Sequence, residues 1–341
     1  MARFSSVGSR QFTSIGRSGI AIINYVFSSN TTQTTINPAA LTGYKAGKTR
    51  LTITVNSGVY VYSTDTGNAG LTISGFSAGD TIALVNNGYI IGKGGKGGNG
   101  NFVTTLNSAN GSAGGPALSL GANVTLTNNG YIAGGGGGGG TGAGGGGGGA
   151  GGGDGGNTHT GAIGASGGLP GAVGSNGTVV SAQDVQNWHN ANGTMPSGSY
   201  FTRVGTGAGG GRILPGVGGA DSSTITNPSI HTFTPSNGGG AGGGGGLANL
   251  YDAPGGQDWS YLGRAGGSAN NVGSNAPIFN QFIEIGYWGG AAGGGGWGAA
   301  GGNCLLQSGT HGTGGAGGKG IALNGYSVTY ITTGTIYGAV S

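Results

Sequence analysis

Eight carboxylates, four histidines and one cysteine are the side chains of this 341-residue chain with the most obvious capacity for chemistry. His159, His189, His231 and His311 lie far apart and show no metal-ligand spacing. Cys304 stands alone, which excludes an intrachain disulfide. The acids are Asp65, Asp80, Asp154, Asp184, Asp221, Asp252, Asp258 and Glu284. Asp252 and Asp258 are close enough in sequence to be tested as a glycosidase pair. Two acids in one loop are more often solvated or turn-forming. "GYKAGKT" resembles a phosphate loop, but three residues separate Gly43 from Gly47 where the motif needs four. "GGAGGGD", ending at Asp154, is a near miss to a calcium-binding nonapeptide and occurs once, without the repeats that site requires. No enzyme, metal site or cofactor follows from these patterns.

Aromatic side chains offer a different chemistry. Trp188, His189, Tyr200, Phe201, Phe233, Tyr251, Trp259, Tyr261, Phe279, Phe282, Tyr287 and Trp288 all fall in segments of ordinary composition between glycine blocks. Aromatic rings give large contact area at low entropic cost and suit both sugars and protein loops. These residues are the candidates for binding a partner. Trp297, inside a glycine block, reads instead as packing against that block.

Charge narrows the partner. Residues 1–100 carry a net +6 and residues 101–341 a net −2. Arg3, Arg10, Arg17, Lys45, Lys48, Arg50, Lys93 and Lys96 are dispersed, without the runs or aromatic interleaving of a nucleic-acid surface. Docking of the N-terminal part on a larger assembly fits the asymmetry. No apolar run is long enough for a transmembrane helix, and "MARFSSVGSRQFTSIG" lacks the apolar centre of a signal peptide. Assembly in a cytoplasm is expected, with no membrane insertion.

The elements that must position the aromatics are β-strands and glycine runs. Residues 1–40 read as an attachment segment containing one strand candidate, "IAIINYVF". Residues 41–132 read as a β-rich domain. In "RLTITV", Leu51, Ile53 and Val55 alternate with Thr52 and Thr54. An apolar–x–NNGYI unit occurs at 85–90 and again at 126–132, with an echo in "GIALNGYSVTYI". Asn-Gly is a strong turn signal. Its recurrence within one strand–turn–strand unit predicts stacked rungs or a small β-prism. Residues 321–341 are expected to return to this domain as a β-hairpin. Almost no α-helix is expected anywhere.

Residues 133–320 alternate glycine blocks with the aromatic-bearing inserts. The block from Gly134 to Gly156 has 19 glycines in 23 positions. Such a run loses more backbone entropy on ordering than any other sequence and has few side chains to bury. A backbone lattice is the remaining source of order. Polyproline-II geometry has three residues per turn and directs every N–H and C=O outward, so side-chain-free helices can bond to neighbours on all sides. The expectation is a bundle of polyglycine-II helices. Outer positions take Ala, Ser, Thr or Lys, and the inserts are loops at its ends, where a rigid scaffold commonly displays binding residues.

With that pattern in view, the chain resembles the distal tail-fibre adhesins of T-even-like bacteriophages. The residues that carry the resemblance are "GKGGKGGNG", "GGGGGGGTGAGGGGGGAGGG", "GGGAGGGGG", "GGAAGGGGWGAAGG" and "GTGGAGGKG", alternating with inserts over roughly residues 92–341. The resemblance implies a virion tail-fibre tip. It also implies receptor-facing loops on a polyglycine-II sandwich, and recognition of a host outer-membrane protein or polysaccharide. Fibre or baseplate proteins are the implied partners of the N-terminal region, and a homotrimer is one possible state. The rival class is a structural or ice-binding glycine-rich protein, which would show a flat face of small residues and few aromatic inserts.

Overall fold

The computed structural model describes residues 9–15, 19–99, 110–140, 166–168, 175–176, 179–181, 200–205, 248–253, 257–261, 264–268, 271–275, 292–306 and 309–341. The chain divides into two compact units. One holds residues 1–93, 115–134 and 319–341; the other holds 94–114 and 135–318.

In chain order the first unit contains β1 (Ser9–Ile15), β2 (Ala21–Phe27), β3 (Thr31–Thr32), β4 (Thr34–Ile36), β5 (Thr49–Val55), β6 (Tyr60–Tyr62), β7 (Leu71–Ser74), β8 (Thr81–Asn86), β9 (Tyr89–Ile91), β10 (Leu118–Gly121), β11 (Val124–Asn128) and β12 (Tyr131–Ala133). Six strands follow in the second unit: β13 (Val179–Ser181), β14 (Tyr200–Gly205), β15 (Ala248–Ala253), β16 (Gln257–Tyr261), β17 (Cys304–Leu306) and β18 (Gly309–His311). The first unit then closes with β19 (Ile321–Ala322), β20 (Val328–Thr332) and β21 (Thr335–Tyr337). Among the described residues there is no α-helix. One 3-10 turn, Pro38–Ala40, is capped by the Asn37 side chain.

β2, β5, β8, β11 and β20 are parallel neighbours in one sheet, with β1 antiparallel to β2 at its edge. A second parallel sheet has the order β3, β6, β9, β12, β21, and a third β4, β7, β10, β19. The chain visits the three sheets in the same order on each turn and advances one strand every time. The result is five turns of a three-sided parallel β-helix. The stacked rungs expected from the NNGYI repeat are present. The C-terminal segment is not a hairpin: β20 pairs with β11 and β21 with β12, in different sheets. A parallel neighbour was already waiting for each strand, so the Asn324–Gly325 turn had no strand pair to close.

Alternation in sequence becomes inside and outside. On β5, Thr49, Leu51, Ile53 and Val55 are buried, and Arg50 is exposed. One core cluster collects inward residues of all three sheets, Leu51, Ile53, Leu71, Ile73, Leu84, Ile90, Leu118, Leu126 and Ile132 among them. Each such side chain contributes roughly 1.5–3 kcal/mol on burial. After β9, and again after β12, the chain leaves for the second unit; it returns on β10 and on β19.

The glycine segments of the second unit are irregular backbone held by bonds between segments. All six carbonyls from Gly135 to Gly140 accept, from the N–H groups of Gly318, Gly95, Gly295, Gly315, Gly98 and Ala292 respectively. Gly137, Gly138 and Gly140 donate to Ala299, Ser112 and Gly302. This one segment thus bonds to five others. The bonds recur every third residue: Gly95 and Gly98 donate to Gly136 and Gly139, and Gly111 and Gly114 to Thr313 and Ala316. Exposure has the same period. Thr313 and Ala316 are exposed, and Gly312, Gly315 and Gly318 are buried.

Candidate functional site

Five of the twelve aromatic candidates fall on three consecutive strands of one antiparallel sheet, ordered β13, β14, β15, β16. "YFTRVG", "ANLYDA" and "QDWSY" have the β-branched and aromatic content that favours a pleated surface. The inserts were expected as loops; three of them supply paired strands instead. The β14–β15 pairing joins residues about 50 positions apart, and no local pattern encodes it, whereas only Pro254, Gly255 and Gly256 separate β15 from β16.

The register decides which positions meet. Tyr200 lies opposite Tyr251, and Phe201 opposite Leu250. Leu250 in turn faces Trp259, and Ala248 faces both Val204 and Tyr261. With neighbouring strands about 4.8 Å apart, these five aromatic positions span about 10 Å across the strands. Arg203 and Asn249 are also opposite one another. A register shift between Leu250 and Ala253 sets Tyr251 and Asp252 against Asp258, so the two acids considered for catalysis sit at an irregularity of the β15–β16 pair. Trp188, His189, Phe233, Phe279, Phe282, Tyr287 and Trp288 lie outside the described residues.

The glycine lattice of the same unit leaves no room for side chains at its centre. A Cβ added at Gly137, Gly138, Gly139 or Gly140 would fall on the carbonyl oxygen of Gly315, Lys96, Ala292 or Gly312 respectively. No residue but glycine fits there without moving backbone. Trp297 is fully buried in this unit, as its place inside a glycine block suggested, and its indole Nε1 has no hydrogen-bond partner.

The first unit carries an aromatic feature that the sequence reading did not single out. Tyr60, Tyr89 and Tyr131 stack in register on successive turns, with ring centroids 4.3 and 5.5 Å apart, and Tyr337 continues the stack at 6.5 Å. The signal was present: both NNGYI copies place a tyrosine at the same point of the repeat. Burial first, and then Tyr89 beside it, push the Tyr60 hydroxyl above its ordinary value. Asp65 is held below the usual carboxylate range, chiefly by the Asn68 side chain. The Gln33 amide also donates to that carboxylate. Gln33 is itself a left-handed residue at the β3–β4 corner. This is a structural clasp of the second turn. Among the described residues no group of His, Cys, Asp and Glu could hold a metal ion, and no helix is long and apolar enough to cross a membrane.

Comparison with known proteins places these features in context. The family described as phage tail fibre adhesin Gp38 matches residues 22–227, from the start of the first helical turn to beyond β14. No curated protein matches. Among solved structures, the gp37–gp38 adhesin tip complex of the bacteriophage S16 long tail fibre is similar at 19% sequence identity and a TM-score of 0.37. The match covers 93% of this chain and 82% of that one.

Proposed function

We propose that this chain, which belongs to the phage tail fibre adhesin Gp38 family, binds a receptor on the host bacterial surface through segments displayed on a polyglycine-II scaffold. The observation that carries the reading is the sheet β14–β16, which brings Tyr200, Phe201, Tyr251, Trp259 and Tyr261 onto three paired strands of the unit that also holds the glycine lattice. A receptor site needs both parts. Rigid backbone lowers the ordering cost of binding, and aromatic anchors supply contact area. The polyglycine-II assignment is supported by the three-residue period shared by bonds and exposure. The receptor is an outer-membrane protein or a surface polysaccharide. The chain acts in the virion as a tail-fibre component without enzymatic activity, attached to fibre or baseplate protein through the first unit.

The test is binding of purified protein to intact host cells, with wild type set against a variant carrying Trp188→Ala, Trp259→Ala and Trp288→Ala. Both proteins must first show the same melting curve. Lost binding by the variant is the expected result. Equal binding by both would remove the inserts from the receptor site, and binding by neither would favour a structural role.

A further inference from the structure

Asn-Gly pairs are chemically labile as well as turn-forming. The glycine nitrogen can lose its proton and attack the asparagine side-chain carbonyl, because no Cβ on the glycine stands in the way. Four such pairs lie wholly within the described residues: Asn87–Gly88, Asn110–Gly111, Asn129–Gly130 and Asn324–Gly325. In three of them the nitrogen is engaged. Gly88 N–H donates to Asn86 Oδ1 at 3.2 Å, Gly111 N–H to the Thr313 carbonyl at 2.9 Å, and Gly130 N–H to the Asn86 carbonyl at 3.0 Å. Gly88 and Gly130 are also buried. Attack at these three pairs first requires the local structure to open.

Gly325 differs on each of these counts. Asn324 and Gly325 are both left-handed, with φ of 51° and 87°, and the Tyr326 N–H closes their two-residue turn on the Leu323 carbonyl at 2.9 Å. Both residues are exposed. Nothing lies within 4 Å of where a Gly325 Cβ would stand, and the Gly325 N–H has no hydrogen-bond partner among the described residues. The Asn324 side chain, by contrast, has a structural task. Its Nδ2 donates to Ser119 Oγ and to the Leu120 carbonyl, each at 3.0 Å, and so ties the turn between β19 and β20 to β10.

We propose that Asn324 is a site of spontaneous covalent modification, converted to aspartate and isoaspartate while the fold protects the other three pairs. The Gly325 nitrogen gives up its proton and bonds to Asn324 Cγ. The Cγ–Nδ2 bond breaks, and Nδ2 takes up that proton and leaves as ammonia. Water then opens the five-membered imide at either carbonyl, so the step needs no oxidant or reductant. Opening at one carbonyl gives aspartate. Opening at the other gives isoaspartate, in which the main chain runs through the former side chain. Either product replaces an amide donor by a carboxylate, which cannot donate to the Leu120 carbonyl. It also places a negative charge in residues 320–341, which carry no charged side chain. The tie to β10 is then lost. The same tie restrains the amide before it reacts, so Ser119, 205 positions away in sequence, helps to set the rate at Asn324.

The experiment incubates the purified full chain, folded and in urea, in mildly alkaline buffer. Each Asn-Gly peptide is followed by mass spectrometry that separates asparagine, aspartate and isoaspartate. In urea all four pairs should react at comparable rates. In the folded protein Asn324 should convert, while Asn87, Asn110 and Asn129 react at least about tenfold more slowly. Equal protection of Asn324, or reaction of any of the other three at its rate, overturns the proposal. Ser119→Ala should speed conversion at 324 by about two- to tenfold in the folded protein and leave the rate in urea unchanged, since it removes one hydrogen bond from the amide. An unchanged rate in the folded variant overturns the restraint by β10. Asn324→Gly blocks the reaction and keeps a residue that accepts the left-handed conformation. Aged wild-type protein should melt at a lower temperature than fresh protein, and the variant should show no such fall. An equal fall in the variant would place the damage elsewhere and remove Asn324 as its source.

Discussion

Asn86 and Asn128 hold the same corner on successive turns of the β-helix. Asn86 Nδ2 donates to Asn128 Oδ1 at 2.8 Å, and Asn128 Nδ2 donates to the Thr333 carbonyl at 2.8 Å. Both side chains are buried. The Asn-Gly pairs that follow are not hairpin turns: neither Gly88 nor Gly130 is left-handed. A Cβ at Gly130 would fall on the Gly88 carbonyl, and one at Gly88 on the carbonyls of Asn56 and Val59. Glycine is there for the stacking distance. Asn128→Ala should therefore cost about 1–3 kcal/mol, since it removes a buried side chain that accepts from Asn86 and donates to the Thr333 carbonyl. Asn129→Ala, on an exposed bond to Asn87, should cost less than about 1 kcal/mol. Equal melting shifts for the two would contradict the buried ladder. Tyr60 gives an alkaline test. Its folded pKa is raised above 10.0, so the fold favours the neutral phenol. Its contribution to stability is complete below 10.0 and is lost as pH rises through the folded value. In a titration of tyrosinate absorbance, Tyr89→Leu should move Tyr60 down towards 10.0 without reaching it, because burial is the larger cause. An unmoved Tyr60 would show that Tyr89 contributes nothing.

A glycine segment behaves as an element with a side every third residue. In "GTGGAGGKG", Thr313, Ala316 and Lys319 face solvent, while Gly315 receives a bond from Gly301 and gives one to Gly138. A Cβ at Gly315 would fall on the Ser112 carbonyl. Gly315→Ala should destabilise the protein by more than about 3 kcal/mol, because backbone must move on two sides. Ala316→Ser, one residue on and exposed, should stay within about 0.5 kcal/mol. Thermal melts of the two variants decide it; matching curves would remove the lattice as the source of order. This period was legible beforehand. Lys93, Lys96 and Asn99 are spaced by three and are the residues of their segment that are not fully buried. The alternation of β5 was equally legible, because both patterns are local. The neighbours of each glycine segment were not, since glycine carries no side chain to distinguish one partner from another. The β14–β15 pairing was hidden for a related reason: Tyr200 meets Tyr251 only through a register set by distant chain.

At the scale of the whole molecule, the chain leaves the β-helix twice and returns each time to the place it left. Gly115 N–H donates to the Lys93 carbonyl at 2.7 Å, so the excursion 94–114 begins and ends within one hydrogen bond. Gly318 N–H donates to the Gly135 carbonyl at 2.6 Å, and the longer excursion closes in the same way. Each pair is close enough for a two-residue turn. The core cluster draws every member from residues of the first unit. Replacing 94–114 and 136–317 each by Asn-Gly should therefore leave a β-helix that melts cooperatively and keeps its stacked tyrosine signal in near-ultraviolet dichroism. That protein should lose binding to host cells, because the excised segments carry every candidate aromatic. Loss of cooperative melting would mean that the glycine lattice is needed to order the β-helix. A folded β-helix that still bound cells would move the receptor site onto its own faces, with the stack from Tyr60 to Tyr337 as the first place to mutate.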